Sequence, residues 1–287
     1  MIYKYLSPAR VSALRNATLR ATQANALNDP FEVKPFFEAA IQRHELHERL
    51  RDKGMLEDEL KKAFAALPAD KRPPISPEQF VQFIRTDVVR EQVERFLGLE
   101  LDRFFDDEMP ALTEHLRNLM HSKLGCIVGI VSFSEDPAQQ LMWAHYADSH
   151  KGFVLGFDES HPFFDRRRSE SDEFFHLRPV DYFDPLPVYS SISELDGVKL
   201  LCAKHGDWRY ENEQRILVPL PEEADAEAIH LIDFPRQALV TVILGERTPP
   251  SVVAEVREIL GDAAYAHVSL QQARVDLGSR QIRTQAI

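Results

Sequence analysis

The sequence predicts an α+β fold, in which a mixed or antiparallel β-sheet core with flanking helices is interrupted by an all-helical insertion. Short β-prone runs occupy both ends of the chain, and a charged, glycine-poor segment with helical apolar spacing lies between them. We therefore assign residues 1–34 and 124–287 to a sheet domain and residues 35–123 to a helical insertion. The chain of 287 residues is long enough to bury a substantial core.

The first elements are indicated by local signals. Residues 2–5 form a β-prone run, and Ser7-Pro8 favours a helix start because serine caps helix ends and proline suits the first turn. Residues 18–22 predict a second strand. In the turn from Asn28 to Phe31, the Asn and Asp side chains can bond their own backbone, and Phe31 is expected to be buried as the anchor.

The insertion is predicted to be helical from its apolar spacing. Its apolar residues recur at three- and four-residue steps, namely Phe80, Phe83, Ile84, Val88, Phe96 and Leu97. Ser76 and Gln79 flank Pro77 in the pattern of a capping box, which predicts a helix start there. The many charged positions of this segment indicate a solvated helix face.

The second half of the chain predicts the remainder of the sheet. Residues 125–134 are apolar on both alternating faces, as in a central strand, and residues 136–139 resemble a capping box before a helix that ends at Gly152 in a left-handed conformation. Further strands are expected at residues 153–157, 178–183, 188–190, 216–220, 229–233, 238–244, 266–270 and 281–284, with helices at 194–205 and 250–260.

Composition narrows the classes of function. With 34 basic and 46 acidic residues the net charge is -12, which disfavours general binding to nucleic acid or to anionic membranes. The two cysteines, Cys126 and Cys202, lie in apolar runs and predict neither a disulfide framework nor a cysteine zinc site. The absence of a signal-like or membrane-spanning apolar stretch favours a cytoplasmic protein.

The segment from Trp143 to Gly152, WAHYADSHKG, is the first candidate site. Helical spacing places His145 and Tyr146 on one face. One interpretation is a pocket wall, with Tyr146 or Trp143 stacking on a planar group and His145 or Lys151 contacting a polar one. The other is a buried helix whose polar side chains satisfy hydrogen bonds within the core.

The segment from Trp208 to Arg215 is the second candidate. Strand alternation places Glu211, Glu213 and Arg215 on one face. They could form a solvent-facing row of ion pairs, or Glu213, held by Arg215 or Lys204, could be an ionised carboxylate that stabilises positive charge in a cleft. The chain shows no glycine-rich phosphate loop, nucleophile elbow or metal-binding histidine helix, so no metal is assigned.

Five motifs together carry a resemblance to a known family. They are Tyr3 to Tyr5, Asn28 to Phe31, Ser132 to Glu135, Trp143 to Gly152 and Trp208 to Arg215. In combination they resemble a bacterial family, number 2971 in the series of domains of unknown function. More weakly, the order of Lys4, Tyr146 and Glu213 resembles the NAD-holding residues of ADP-ribosyltransferases. The chain departs from that pattern because Lys4 replaces the usual first-strand His or Arg and the insertion separates the elements.

The weaker resemblance implies the first functional hypothesis, an ADP-ribosyltransferase or an NAD glycohydrolase acting in bacterial conflict or phage defence, with NAD as substrate. Glu213, His145 and Tyr146 would be catalytic. The residues expected to bind substrate are Lys4, Asn28, Asp29, Trp143, Lys151, Lys204, Tyr210, Glu211 and Arg215.

Two alternatives stay open. The protein could be a non-catalytic binding module whose acidic helical insertion recognises a protein partner, in which case the conspicuous motifs only hold the fold together. It could also be a nuclease or another hydrolase, which would need a metal site that the sequence does not reveal.

Overall fold

A computed structural model describes residues 1–51, 53–68, 70–221 and 228–287 and confirms the predicted α+β class. The described strands are β1 (Ile2–Leu6), β2 (Thr18–Gln23), β3 (Phe37–Ala39), β4 (Val128–Ser134), β5 (Phe153–Phe157), β6 (Leu177–Pro179), β7 (Asp181–Phe183), β8 (Tyr189–Ser191), β9 (Ala203–His205), β10 (Glu213–Pro219), β11 (His230–Asp233), β12 (Leu239–Leu244), β13 (Ser269–Asp276) and β14 (Gln281–Ala286). The described helices are α1 (Val11–Asn16), α2 (Arg43–Arg51), α3 (Lys53–Ala66), α4 (Pro77–Ile84), α5 (Asp87–Arg103), α6 (Met109–Ile127), α7 (Gln140–His145), α8 (Gly197–Leu201) and α9 (Pro250–Leu260).

Most strands join one mixed sheet in the order β11-β2-β4-β1-β5-β12-β13-β14, and β10 pairs with both β4 and β6. Its pairs are antiparallel except for β12 with β13. Two short parallel pairs, β3 with β8 and β7 with β9, lie outside this sheet.

The sheet forks at β4. One edge of β4 pairs with β10 along its whole length. The opposite edge is shared, because Ile130 pairs with Thr22 of β2 whereas Ser134 pairs with Tyr3 of β1. β1 and β2 thus separate between these two positions, and we call this place the fork.

Strand β5 lies where the sequence predicts a strand and is buried on both faces. Phe153, Leu155 and Phe157 pack on one side in a cluster that includes side chains of α1 and α9, and Val154 packs on the other side with Trp143. The covered sheet places α7 against the strand that neighbours β1.

The chain divides into two compact units. The sheet unit comprises Met1–Lys34, Met120–Pro187 and Asp196–Ile287, and the helical unit comprises Pro35–Leu119 and Val188–Leu195. The domain assignment of residues 1–34 with 124–287 and of residues 35–123 stays a prediction. The prediction that the insertion is all helical is wrong, because Phe37 of β3 pairs with Tyr189 of β8, from a distant segment that local patterns cannot identify.

Of the local predictions, one is confirmed and two are corrected. The capping box between Ser76 and Gln79 is confirmed. The predicted strand at residues 125–134 begins only at Val128, because α6 continues to Ile127. Phe31, expected to be a buried anchor, is 65% exposed. No helix within the described residues is both long and apolar enough to span a membrane.

Candidate functional site

A cavity of about 240 Å³ opens at the fork, and we call it the fork cavity. β1 contributes Lys4, β2 contributes Arg20, and β10 contributes Glu213. Tyr146 follows α7, and Glu211 ends a short helical turn before β10. The fork therefore brings side chains from distant parts of the sheet unit to one opening.

Two buried cations hold three buried carboxylates beside this cavity, and we call this group the ion cluster. Its members are Glu32, Lys204, Glu211, Glu213 and Arg215, all buried. The Arg215 guanidinium donates to both Glu213 oxygens, from Nε to Oε1 at 2.8 Å and from Nη2 to Oε2 at 2.9 Å, and also to Glu32. The Lys204 ammonium nitrogen lies 2.5 Å from Glu211 Oε2 and 3.1 Å from Glu213 Oε2.

A left-handed residue places Glu211 in this cluster. The helical turn Gly206–Glu211 ends at Asn212, whose φ is 43°, and β10 starts at the next residue. The predicted strand alternation does not extend to Glu211, because Glu211 lies outside β10. The interpretation of Glu211, Glu213 and Arg215 as a solvent-facing row is wrong, because all three are buried.

The three carboxyls differ in the direction of their pKa shifts because their electrostatic environments differ. Burial opposes ionisation of Glu213, but the charges of Arg215 and Lys204 outweigh it and hold the pKa of Glu213 below its usual value. For Glu211 and Glu32, burial prevails over the nearby cations and raises the pKa of both. The cavity thus holds a firmly ionised carboxylate next to one that takes up a proton more readily.

Tyr146 joins the ion cluster to the cavity. Its hydroxyl donates to Glu211 Oε1 at 2.5 Å. Burial, and then the Glu211 charge, raise the pKa of Tyr146, so its hydroxyl stays protonated at neutral pH. Tyr146 can therefore orient the Glu211 carboxyl, while the rest of the side chain lines the cavity.

The β1 side of the cavity carries an amine with altered ionisation. Lys4 Nζ donates to the Ser132 carbonyl oxygen at 2.6 Å, on the part of β4 between its pairings with β2 and β1. Burial lowers the pKa of Lys4 to about 8, since the Glu213 and Glu211 charges only partly oppose it. A substantial fraction of this amine is neutral near pH 8.

The structure brings six of the predicted site residues to the fork cavity: Lys4, Asn28, Tyr146, Lys204, Glu211 and Glu213. Arg215 lies fully buried behind them and contacts the cavity wall through Glu213 and Glu32. Of the three residues predicted to be catalytic, Tyr146 and Glu213 meet, whereas His145 does not line the cavity.

The remaining predicted residues lie elsewhere. Trp143 is fully buried, and its indole N–H donates to the Pro137 carbonyl oxygen at 2.9 Å, which corrects the expectation that it stacks on a ligand. His145 is exposed, with its ring 6.3 Å from that of Tyr210. The residues that line the cavity do not include Trp143, His145, Tyr210, Lys151 or Asp29.

Lys151 and Asp29 have local contacts instead. Lys151 lies 3.6 Å from the Asp148 carboxylate in an exposed ion pair. Asp29 is buried, and its Oδ1 accepts the Phe31 backbone N–H at 2.9 Å, which confirms the predicted turn chemistry.

The end of α7 differs from its prediction. The helix covers only Gln140–His145, and Gly152 is not left-handed. Instead Asp148, Ser149 and His150 are left-handed, with φ of 47°, 53° and 67°. Glycine is required at 152 for another reason, because a Cβ there would lie 2.0 Å from the Leu6 carbonyl oxygen.

Sequence reasoning missed Arg20 and Glu32. Arg20 interrupts a β-prone run and Glu32 directly follows the Asn28–Phe31 turn, so each is a charged residue in a segment expected to be partly buried. Their arrival at one cavity depends on the fork, which local patterns do not reveal. No group of metal-ligating side chains is found within the described ranges.

A family model described as Protein of unknown function (DUF2971) matches residues 142–216. The match confirms the resemblance to that family over this segment, which includes Tyr146, Lys204, Glu211, Glu213 and Arg215. No curated protein and no solved structure matches the chain.

Proposed function

We propose that the fork cavity binds a pyridine nucleotide such as NAD and that the protein breaks its N-glycosidic bond, passing the ADP-ribosyl group to water or to an acceptor. The observation that carries the proposal is that two neighbouring carboxyls differ in pKa. Glu213 is held ionised by Arg215 and Lys204, whereas the pKa of Glu211 beside it is raised. Environments that separate the pKa values of neighbouring carboxyls are typical of acid–base sites.

Each carboxyl has a role in that reaction. The bond from the ribose C1′ to the nicotinamide nitrogen breaks, and its electron pair leaves with nicotinamide. The ionised Glu213 stabilises the positive charge that develops on the ribose. Glu211 accepts the proton of the attacking hydroxyl as the new bond from oxygen to C1′ forms, because a carboxylate with a raised pKa is a better base.

The size of the cavity agrees with one end of a dinucleotide. Its volume of about 240 Å³ is below the range of roughly 300–1,000 Å³ that encloses a drug-sized ligand. A ring with its ribose would enter, and the rest of the ligand would extend outward. Tyr146 supplies an aromatic side chain at this opening.

Release of nicotinamide from NAD, followed by chromatography, tests the proposal. The wild-type protein is expected to release nicotinamide, and Glu213→Gln should lower kcat at least about 100-fold, as loss of an electrostatic stabiliser does. Glu170→Gln, at an exposed position of the same unit, is the matched control and should keep full activity. Absence of turnover in the wild type, or equal turnover in Glu213→Gln, would reject this function.

A non-catalytic binding protein is the second candidate. It is favoured because both Glu213 oxygens already have partners and because the helical unit exposes Phe83, Phe96 and Leu99, at 57%, 62% and 64%. Such side chains are available to a protein partner. Under this candidate Glu213→Gln lowers the melting temperature and NAD gives no thermal shift, whereas a thermal shift by NAD in the wild type contradicts it. A role in phage defence stays a prediction.

A further inference from the structure

Two cationic side chains face the fork cavity from the two strands that separate there. Lys4 lies on β1 and Arg20 on β2, and both line the cavity. Burial is the main cause that lowers the pKa of Lys4, the Glu213 and Glu211 charges oppose it, and the Arg20 charge lowers it further, as expected for two cations that line one cavity. Neighbouring cations in a partly buried place are unfavourable unless an anion lies between them.

Arg20 has no acidic partner among the described residues. Its Nε is buried and has no hydrogen-bond acceptor within the part of the chain that the structure describes. A buried donor of a charged group that stays unbonded costs stability. The Arg20 Nε–H therefore lies in the cavity wall without a contact among the described residues that satisfies it.

The nearby carboxylates of Glu211 and Glu213 have other partners than Arg20. Glu213 is bonded by Arg215 and Lys204, and Glu211 by Lys204 and Tyr146. Within the described residues, Lys4 donates its hydrogen bond to a neutral carbonyl, that of Ser132. These acids thus pair with Lys204, Arg215 and Tyr146, and among the described residues none of them is hydrogen-bonded to Lys4 or Arg20.

The local charge is also reversed relative to the chain. The ion cluster and the two strand cations together have four basic side chains against three acidic ones. The whole chain has a net charge of -12. Because the pKa values of Glu211 and Glu32 are raised, the positive excess at the cavity increases whenever either takes up a proton.

We infer that Lys4 and Arg20 form an anion subsite of the fork cavity that takes a phosphate group of the ligand. A guanidinium binds phosphate oxygens through paired N–H groups, and an ammonium adds a point charge beside it. The inference rests on the proposed function for the nucleoside part of the ligand, and it narrows the substrate class to phosphorylated nucleosides. The assignment of a phosphate to this subsite depends only on Lys4 and Arg20.

Calorimetric titration with inorganic pyrophosphate tests the subsite directly. We expect saturable binding to the wild-type protein and a loss of affinity of about tenfold or more in Arg20→Gln. Arg10→Gln, at an exposed position of the same unit, is the control and should bind like the wild type. Arg20→Lys keeps the charge without the paired donors and should bind with intermediate affinity. Failure of the wild type to bind, or equal binding by Arg20→Gln, would overturn the inference.

Malonate distinguishes phosphate from carboxylate, because it has two anionic groups without phosphorus. Weaker binding of malonate than of pyrophosphate supports a phosphate subsite. Stronger binding of malonate would overturn the assignment of phosphate.

Reactivity of Lys4 supplies a second measurement that does not depend on turnover. Labelling by an amine reagent, quantified by mass spectrometry across pH, should give a midpoint at about 8 for Lys4. Saturating pyrophosphate should move that midpoint upward, because an anion favours the charged amine. Arg20→Gln should also move it upward without pyrophosphate. An unchanged midpoint in both cases contradicts the subsite.

Nicotinamide mononucleotide and nicotinamide riboside separate this inference from the proposed function, since the two differ by one phosphate. Tighter binding of the mononucleotide, lost in Arg20→Gln, supports the subsite even if NAD is never cleaved. NAD cleavage together with equal binding of both compounds would reject the subsite and leave the proposed function standing.

Discussion

On the β9 and β10 side of the fork cavity, the opposite charges of Lys204 and Glu213 lie within hydrogen-bond distance of each other. On the β1 and β2 side, neither Lys4 nor Arg20 has an oppositely charged partner at that distance among the described residues. The first side resembles a buried salt-bridge network, in which removal of one partner leaves an uncompensated charge. The second side lacks that mutual support. The difference indicates which charges fix the architecture and which are available to a ligand.

The largest effect is expected from Arg215→Met. Arg215 is fully buried and bonds Glu213 and Glu32, so its loss leaves two carboxyls without their main partner. We expect a decrease of about 3–5 kcal/mol in the free energy of unfolding, measured by urea denaturation. Arg167→Met, which breaks an exposed pair with Asp165, is the control and should change stability little. Equal effects would show that burial of the cluster is unimportant.

The pH dependence of stability separates Glu213 from Glu211. The folded-state pKa of Glu213 is lowered, so its stabilising contribution is present above its unfolded pKa of about 4.3 and is lost as pH falls through the folded value. The free-energy difference between wild type and Glu213→Gln should therefore be larger at pH 7 than at pH 4.

Glu211→Gln is the matched comparison with the opposite sign. The folded-state pKa of Glu211 is raised, so ionisation of this carboxyl costs stability as pH rises from the unfolded value through the folded one. The variant should gain stability relative to the wild type over that interval. Urea denaturation at pH 4 and pH 7 measures both variants, and parallel pH profiles would contradict the assignment of charge.

A smaller effect is expected from Tyr146→Phe. The change removes the hydroxyl that donates to Glu211, and a hydrogen bond of this kind contributes about 1.5 kcal/mol. Tyr3→Phe is the control at the same cavity, since the Tyr3 hydroxyl has no hydrogen bond within the described residues. Thermal unfolding of both variants decides the matter, and an equal loss would exclude a special role for the contact with Glu211.

Arg20→Gln should have the smallest effect on stability. No ion pair with a described residue is lost and a positive charge near Lys4 is removed, so the change in unfolding free energy should stay within about 0.5 kcal/mol or be slightly stabilising. Chemical denaturation measures it. A loss comparable to that of Arg215→Met would place Arg20 among the structural charges instead.

The fold class and several site residues could be predicted from the sequence because they depend on local patterns. Alternation identified β5, the capping pattern identified the start of α4, and charged residues beside an apolar run identified Glu213 and Arg215. The burial of Glu211 could not be predicted, since it depends on the left-handed Asn212.

The convergence of residues was also beyond local patterns. Arg20 lines the cavity where β1 and β2 separate along β4, and the pairings of β4 with these two strands join segments more than 100 residues apart in the chain. Strand alternation gives the face of a residue but not the neighbouring strand. The prediction that Trp143 contacts a ligand was wrong for a similar reason, because helical spacing does not show which face of the helix the sheet covers.

A crystal structure of the protein with nicotinamide mononucleotide would show where the ribose and the phosphate bind. We expect the ribose beside Glu213 and the phosphate within hydrogen-bond distance of Lys4 and Arg20. A ligand bound away from the fork cavity, or with its phosphate turned from both cations, would contradict this expectation.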